Sequence, residues 1–153
     1  MEVQLAPMHD DHKEPIYAFQ CDAESCRMAG VNARDRAGFD AFWSKVRDDP
    51  TIVSRSILVD GVVAGSMSVF TMEGERMLGY WIDRRWWGRG VASRAVELFL
   101  KSVPERPLVA HVVDTNHGSI RVLEKNGFVL ERVEESPASE RYLACLLRCY
   151  RLA

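Results

Sequence analysis

The chain has 153 residues, 47% hydrophobic and 27% charged, the balance of one compact domain able to bury a sizeable core. A formal net charge of -2 argues against nucleic acid as a partner, because neutralising a phosphate backbone takes a basic face. No basic flank leads an apolar run at the N-terminus and no segment approaches membrane-spanning length, so a cytoplasmic protein without a membrane partner is expected.

Val3 to Leu5 starts a short strand ahead of Pro7. His9-Asp10-Asp11-His12 holds metal-ligand residue types, but no helical face converges them; they read as a solvated loop or helix start, and no metal is expected. Glu14 to Gln20 and Asp22 to Arg27 are two short helical pieces, with Pro15 tolerated in a first turn. Asp35 suits the N-cap of a helix whose stripe of Phe39, Phe42, Trp43 and Val46 follows the spacing of one buried face.

Ile52 to Val59 and Val62 to Phe70 form a hairpin across Asp60-Gly61, a dipeptide that favours a tight turn with positive φ. Glu73-Gly74 marks a second turn before a strand over Arg76 to Asp83. A helix from Val91 to Lys101 stops ahead of Pro104, Leu108 to Val113 is a strand, and Gly118 to Lys125 is a helix leaving through Asn126-Gly127. Phe128 to Glu134 and Tyr142 to Leu152 are the last strands, around a Glu135 to Glu140 loop. Cys145 and Cys149 share one strand face with Leu143 and Leu147, the pattern of buried thiols, and the four cysteines suggest neither a zinc site nor a disulfide framework. The order of elements predicts a single α/β domain over 1–153, of the α+β type, with one mixed sheet flanked by helices.

The most informative stretch is Arg85-Trp86-Trp87-Gly88-Arg89-Gly90-Val91-Ala92, between a strand and a helix. A glycine turn there aims backbone N–H groups outward, and the helix N-terminus adds partial positive charge, so a phosphate can bind without a dedicated side chain. Gly88 and Gly90 let an anion approach where a Cβ would obstruct it. Downstream lie Asn116-His117-Gly118-Ser119 and Glu124-Lys125-Asn126-Gly127-Phe128.

On these residues the chain resembles the GNAT superfamily of acyl-CoA-dependent N-acyltransferases, and within it the RimJ/RimL-like group that acetylates protein N-termini. Arg85, Gly88 and Gly90 match the family signature, and Tyr80 to Asp83 and Asn116 to Phe128 look like its RimJ/RimL version. The resemblance implies a mostly antiparallel sheet of about seven strands, splayed at its centre, and acetyl-CoA as co-substrate. It implies that Trp87, Gly88, Arg89, Gly90, Val91 and Ala92 cradle the CoA pyrophosphate, with Arg85 as the signature residue. The backbone of Trp81, Ile82 and Asp83 would pair with the pantetheine arm, Asn116 would contact the pantetheine or phosphate region, and Ser119 would lie near the thioester sulfur. Many relatives carry a tyrosine as thiol proton donor where this chain has Leu123, which moves that role to Ser119.

Direct transfer requires a neutral amine. An α-amine with pKa near 7.8 is roughly 15% neutral at pH 7, a cost of about 1 kcal/mol, against about 4.6 kcal/mol for a lysine amine. Glu75 is the first candidate for general base, with Glu73, Glu140 and His111 as alternatives and a water relay open. Acidic Glu131, Glu134, Glu135 and Glu140 around the last loop would attract a cationic acceptor if they faced the cleft, and would otherwise be a solvated rim. The acceptor is a peptide N-terminus or a small-molecule amine, and a homodimer stays open. Two other readings are a non-catalytic acyl-CoA sensor and a dinucleotide-binding module; the latter is weakened by Ser93 where a third glycine belongs.

Overall fold

Two hairpins are closed by the dipeptides that the sequence marks. In the computed structural model, which describes residues 1–153, β1 (Val3–Ala6), β2 (Val53–Val59), β3 (Val62–Met72) and β4 (Glu75–Ile82) run antiparallel side by side. Asp60 and Gly61 at φ 49° and 81°, and Glu73 and Gly74 at 51° and 78°, form the paired positive-φ turns that match strand twist. β5 (Leu108–Val113), β6 (Val129–Ser136) and β7 (Cys145–Leu152) complete a seven-stranded sheet in the order β1-β2-β3-β4-β5-β7-β6. Only β4 and β5 are parallel. β4 pairs with β3 along its whole length, yet meets β5 only at Met77–Val109, so beyond Met77 the sheet opens as a wedge.

Five helices cover the two faces: α1 (Lys13–Gln20), α2 (Ala23–Ala29), α3 (Arg36–Asp48), α4 (Val91–Ser102) and α5 (His117–Lys125). Val91, Val96 and Phe99 of α4 and Leu123 of α5 are buried with Leu78, Ile82, Leu108 and Val112 in the main core. On the opposite face Ile16 of α1 packs with Phe39 and Trp43 of α3, two members of the stripe read from the sequence. Successive strand residues point to opposite faces. Tyr80 therefore faces α4 and α5, whereas Trp81 faces α1, where its indole N–H donates to the Phe19 carbonyl at 3.2 Å.

The structure differs from expectation at the last hairpin. β6 runs on to Ser136, and β7 starts at Cys145 rather than Tyr142. Tyr142 instead bridges Val31, the Asn32 N–H donates to the Arg141 carbonyl at 2.6 Å, and the Leu143 N–H donates to the Gly30 carbonyl at 3.0 Å. Residues 137–144 thus form a strap tied to the end of α2, a pairing between segments far apart in sequence. Cys149 is buried, Cys145 only half-buried, and all four thiols are free. No helix is long and apolar enough to cross a membrane.

Candidate active site

Helices α2, α3 and α5 begin with a side-chain cap, from Asp22, Asp35 and Asn116. α4 does not. Its N-cap is Gly90 at φ 79°, with no side chain to accept from the first-turn amides. The first helical hydrogen bond comes from Arg94 N–H to the Gly90 carbonyl, so the amides of Val91, Ala92 and Ser93 have no helical acceptor. Gly88, at φ 73°, turns the preceding loop the same way, and a Cβ at either glycine would meet no protein atom within 4 Å. The space before α4 is therefore open and lined by donors, the form an anion site takes.

This opening belongs to a cavity of about 560 Å³ bordered by the Tyr80–Ile82 end of β4, where the sheet opens, and by residues of α2, α4 and α5. At its inner end the Tyr80 hydroxyl hydrogen-bonds the Ser119 hydroxyl, joining β4 to the first turn of α5. Burial pushes the Tyr80 phenol up to about 12, with the Ser119 bond pulling weakly the other way, so the phenol is protonated at every physiological pH. A tyrosine whose folded pKa exceeds the unfolded value near 10 adds stability that is present below pH 10 and lost as the pH rises toward 12. Absorbance titration should show a tyrosine ionising near pH 12 that disappears in Tyr80→Phe.

The expected CoA contacts divide into two groups. Trp81, Ile82, Trp87, Gly88 and Gly90 line the cavity, as do Val91 and Ala92 at the start of α4 and Asn116 and Ser119 of α5. Asp83, Arg85 and Arg89 do not line it. Arg85 is bound to Asp83 at 2.7 Å, and Arg89 lies over the Trp86 ring at 5.2 Å. Nor are all the expected strand groups free. The Asp83 N–H donates to the Ala64 carbonyl at 2.8 Å, and the Trp81 carbonyl points at Gly65, so both face β3. Alternation leaves the backbone of Tyr80 and Ile82 facing the wedge. The Ile82 carbonyl takes the Trp87 indole N–H at 3.0 Å, while its N–H remains directed into the gap.

Asn116 is also committed internally. Its carbonyl oxygen accepts the Ser119 N–H at 3.3 Å, and its amide donates to the Met28 carbonyl at 3.3 Å, tying α5 to α2. Asn116→Ala should lower stability by about 1–2 kcal/mol in urea unfolding, and weaken acetyl-CoA binding far less.

Among the lining residues that the sequence reading did not place in the site, three carry polar or charged groups that bear on the chemistry: Tyr80, Arg121 and Lys125. Tyr80 stood one position before the expected strand contacts. Arg121 and Lys125, four apart on α5, turn one cationic edge into the cavity; that spacing was the available signal, though ordinary surface helices share it. Trp86 also lines the cavity, and its indole N–H is buried without an acceptor. Leu123 is buried in the core, so no donor can act from the position where relatives carry tyrosine.

No carboxylate or imidazole lines the cavity. Glu75 lies at the start of β4, roughly 16 Å along the strand from Tyr80, and is 3.4 Å from Arg151. Glu73 is in the β3–β4 turn, Glu140 in the strap, and His111 on β5 opposite Cys149. Of the acidic cluster, Glu131 pairs with Arg151 at 2.6 Å and Glu134 with Arg132 at 3.0 Å, and none of its members lines the cavity.

Residues 2–129 match the family described as acetyltransferase (GNAT) domain. The fold is similar to that of an N-acetyltransferase from Staphylococcus aureus Mu50, with TM-score 0.82, 16% identity, and 99% and 98% of the two chains covered. It is similar to a GNAT-family acetyltransferase from Bacillus anthracis, with TM-score 0.78, 14% identity, and 99% and 95% covered. It is also similar to RimL, the ribosomal L7/L12 α-N-protein acetyltransferase solved with coenzyme A, with TM-score 0.75, 15% identity, and 98% and 93% covered. Among curated proteins none matches. Acetyl transfer is the chemistry of this family, and the family implies acetyl-CoA as co-substrate. The chain belongs to the GNAT acetyltransferase family.

Proposed function

We propose that this protein transfers the acetyl group of acetyl-CoA directly to a primary amine, an α-amine of a peptide or a small molecule, as a cytoplasmic enzyme of the RimJ/RimL-like type. The observation that carries this reading is a single cavity with an uncapped helix N-terminus at one end and the Tyr80–Ser119 hydroxyl pair at the other. The amides from Gly88 to Ser93 receive the pyrophosphate, with Arg121 and Lys125 supplying positive charge beside it. The thioester delivers an activated acetyl carbon into the wedge.

The inward N–H of Ile82 is positioned to donate to the carbonyl oxygen as negative charge develops there. As the amine nitrogen bonds to the acetyl carbon, the C–S bond breaks and the sulfur leaves with its electron pair. A thiolate with pKa near 8.5 is a mild base, so a hydroxyl donor suffices to receive it. With Tyr80 donating to Ser119 Oγ, the Ser119 proton is free to point at the sulfur. The absence of a base from the cavity wall suits an acceptor that loses its proton to water, for which an α-amine is about 3.6 kcal/mol easier than a lysine.

Calorimetric titration with acetyl-CoA, with NAD as control, followed by thiol release with a panel of amines, tests the reading. Binding of acetyl-CoA alone, with amine-dependent thiol release, is expected. Binding without release for any amine would leave a sensor instead of an enzyme, and no binding would remove the CoA assignment.

A further inference from the structure

Arg34 and Arg141 are two of three half-buried arginines outside the cavity that have no carboxylate partner, and unlike the third, Arg55, they stand close to the end of α2. Arg34, in the segment between α2 and α3, lies over the Phe42 ring at 4.1 Å and donates to Gln20 Oε1 at 3.3 Å. Arg141, in the strap, donates to the Asn32 carbonyl. Both partners are neutral, although most of the other arginines on this molecule sit beside a carboxylate. The two guanidinium groups repel each other, and burial with that repulsion lowers Arg34 to about 10; burial also lowers Arg141. A fold that needed these side chains only for packing would be relieved of this cost by a carboxylate or by an apolar residue.

The pair is tied to segments that adjoin the cavity wall, Arg141 to Asn32 just beyond α2 and Arg34 to Gln20 at the end of α1. Met28 and Ala29, at the end of α2, line the cavity on the face of Trp81. Immediately beyond them the strap is bonded to Gly30 and Asn32, which brings Arg141 against the α2 end. Arg34 reaches Gln20, the neighbour of Phe19, whose carbonyl holds the Trp81 indole. The Arg34 anchor and the anchor of a cavity wall residue therefore belong to adjacent residues at the end of α1. The nearby polar groups are Asn32, the exposed Tyr142 hydroxyl and the main chain of Glu140.

We propose that Arg34 and Arg141 form the acceptor subsite and hold an oxyanion, a carboxylate or equivalent group, carried by the amine a few atoms from the nitrogen that is acetylated. This inference rests on the transferase reading above and names its substrate class. A planar guanidinium fork matches a carboxylate bidentately, and two forks offer up to four such bonds. Glu131 and Glu134 of the last hairpin are held by Arg151 and Arg132, and no carboxylate pairs with Arg34 or Arg141. A polycationic amine would meet like charge at the same place. The oxyanion can come from a free amino acid or from an acidic residue at a peptide N-terminus, and the shared chemistry is an amine flanked by negative charge.

The test compares glutamate, glutamate amidated at both carboxyls, a short peptide beginning with Glu or Asp, its Gln or Asn counterpart, and spermidine as acceptors for wild type, Arg34→Gln and Arg141→Gln. Expected is turnover of the acidic members at least tenfold above their neutral counterparts and above spermidine. Each variant should raise KM for them tenfold or more while leaving acetyl-CoA affinity and thermal midpoint close to wild type. The better of the glutamate and peptide arms identifies the source of the oxyanion. Preference for spermidine, or a KM indifferent to both variants, would overturn the subsite. Should no amine be acetylated, calorimetry with N-acetylglutamate decides separately: binding that both variants weaken tenfold supports the subsite even as the transferase reading falls, and absence of binding overturns it.

Discussion

Gly90→Glu should abolish acetyl-CoA binding, with affinity falling about 10³-fold or more in calorimetric titration while the protein stays folded. The new side chain starts in open space, since a Cβ at this position meets nothing within 4 Å. It costs only the strain of a non-glycine residue at φ 79°, of order 1–2 kcal/mol. The electrostatic effect is larger. A carboxylate about 4 Å from a phosphate opposes it by about 4 kcal/mol at an effective dielectric of 20, which is close to three decades in affinity. The new carboxylate would also compete for the Ala92 or Ser93 amide at the start of α4, as Asp35 takes the Gly38 amide of α3, and so withdraw a donor the anion needs. Gly90→Ala separates strain from charge: it carries the same backbone cost but leaves the amides free, and should bind within about tenfold of wild type. Unchanged affinity in Gly90→Glu would show that the phosphate binds elsewhere.

What the sequence made legible was local. The Asp60-Gly61 and Glu73-Gly74 turns, the Asp35 cap and the α3 stripe each depend on neighbours within a few positions, where backbone sterics and side-chain periodicity act directly. The seven-strand count and the central splay came with the family resemblance rather than from any local pattern, and the structure has both. What it did not reveal depends on distant pairing. The strap that joins Tyr142 to Val31 is set by an encounter across 111 positions, and no periodicity announces it. Tyr80 looked like one more aromatic on a strand, because alternation tells which residues share a face and not which side chain waits across the gap. Trp81 and Asp83 were expected to offer backbone to the ligand, but the register with β3 consumes theirs and leaves that of Tyr80 and Ile82. The sequence left open whether the acidic loop is a cleft mouth or a solvated rim, because charge is visible there whereas the pairing of Glu131 with Arg151 and of Glu134 with Arg132 is not.

Ser119→Ala should lower kcat about 10²-fold with acetyl-CoA affinity changed less than threefold, and Tyr80→Phe should reproduce part of that loss. The division between kcat and affinity follows from where the hydroxyl acts. Ser119 is proposed to donate to the sulfur only as negative charge builds there, so its bond is stronger in the transition state than in the bound thioester. Tyr80→Phe keeps the ring that packs on the main core and removes only the phenol oxygen, so the fold should survive the change. Without that donor the Ser119 proton has no reason to point at the sulfur, and the rate should drop about tenfold. Combining the two changes provides the decisive comparison. If Tyr80 works by orienting Ser119, the double variant should be no slower than Ser119→Ala alone, since nothing is left to orient. Additive losses would instead make Tyr80 an independent donor, with its protonated phenol reaching the leaving group itself. Small equal effects on kcat and affinity from both single variants would remove the pair from the chemistry and reduce it to a brace between β4 and α5.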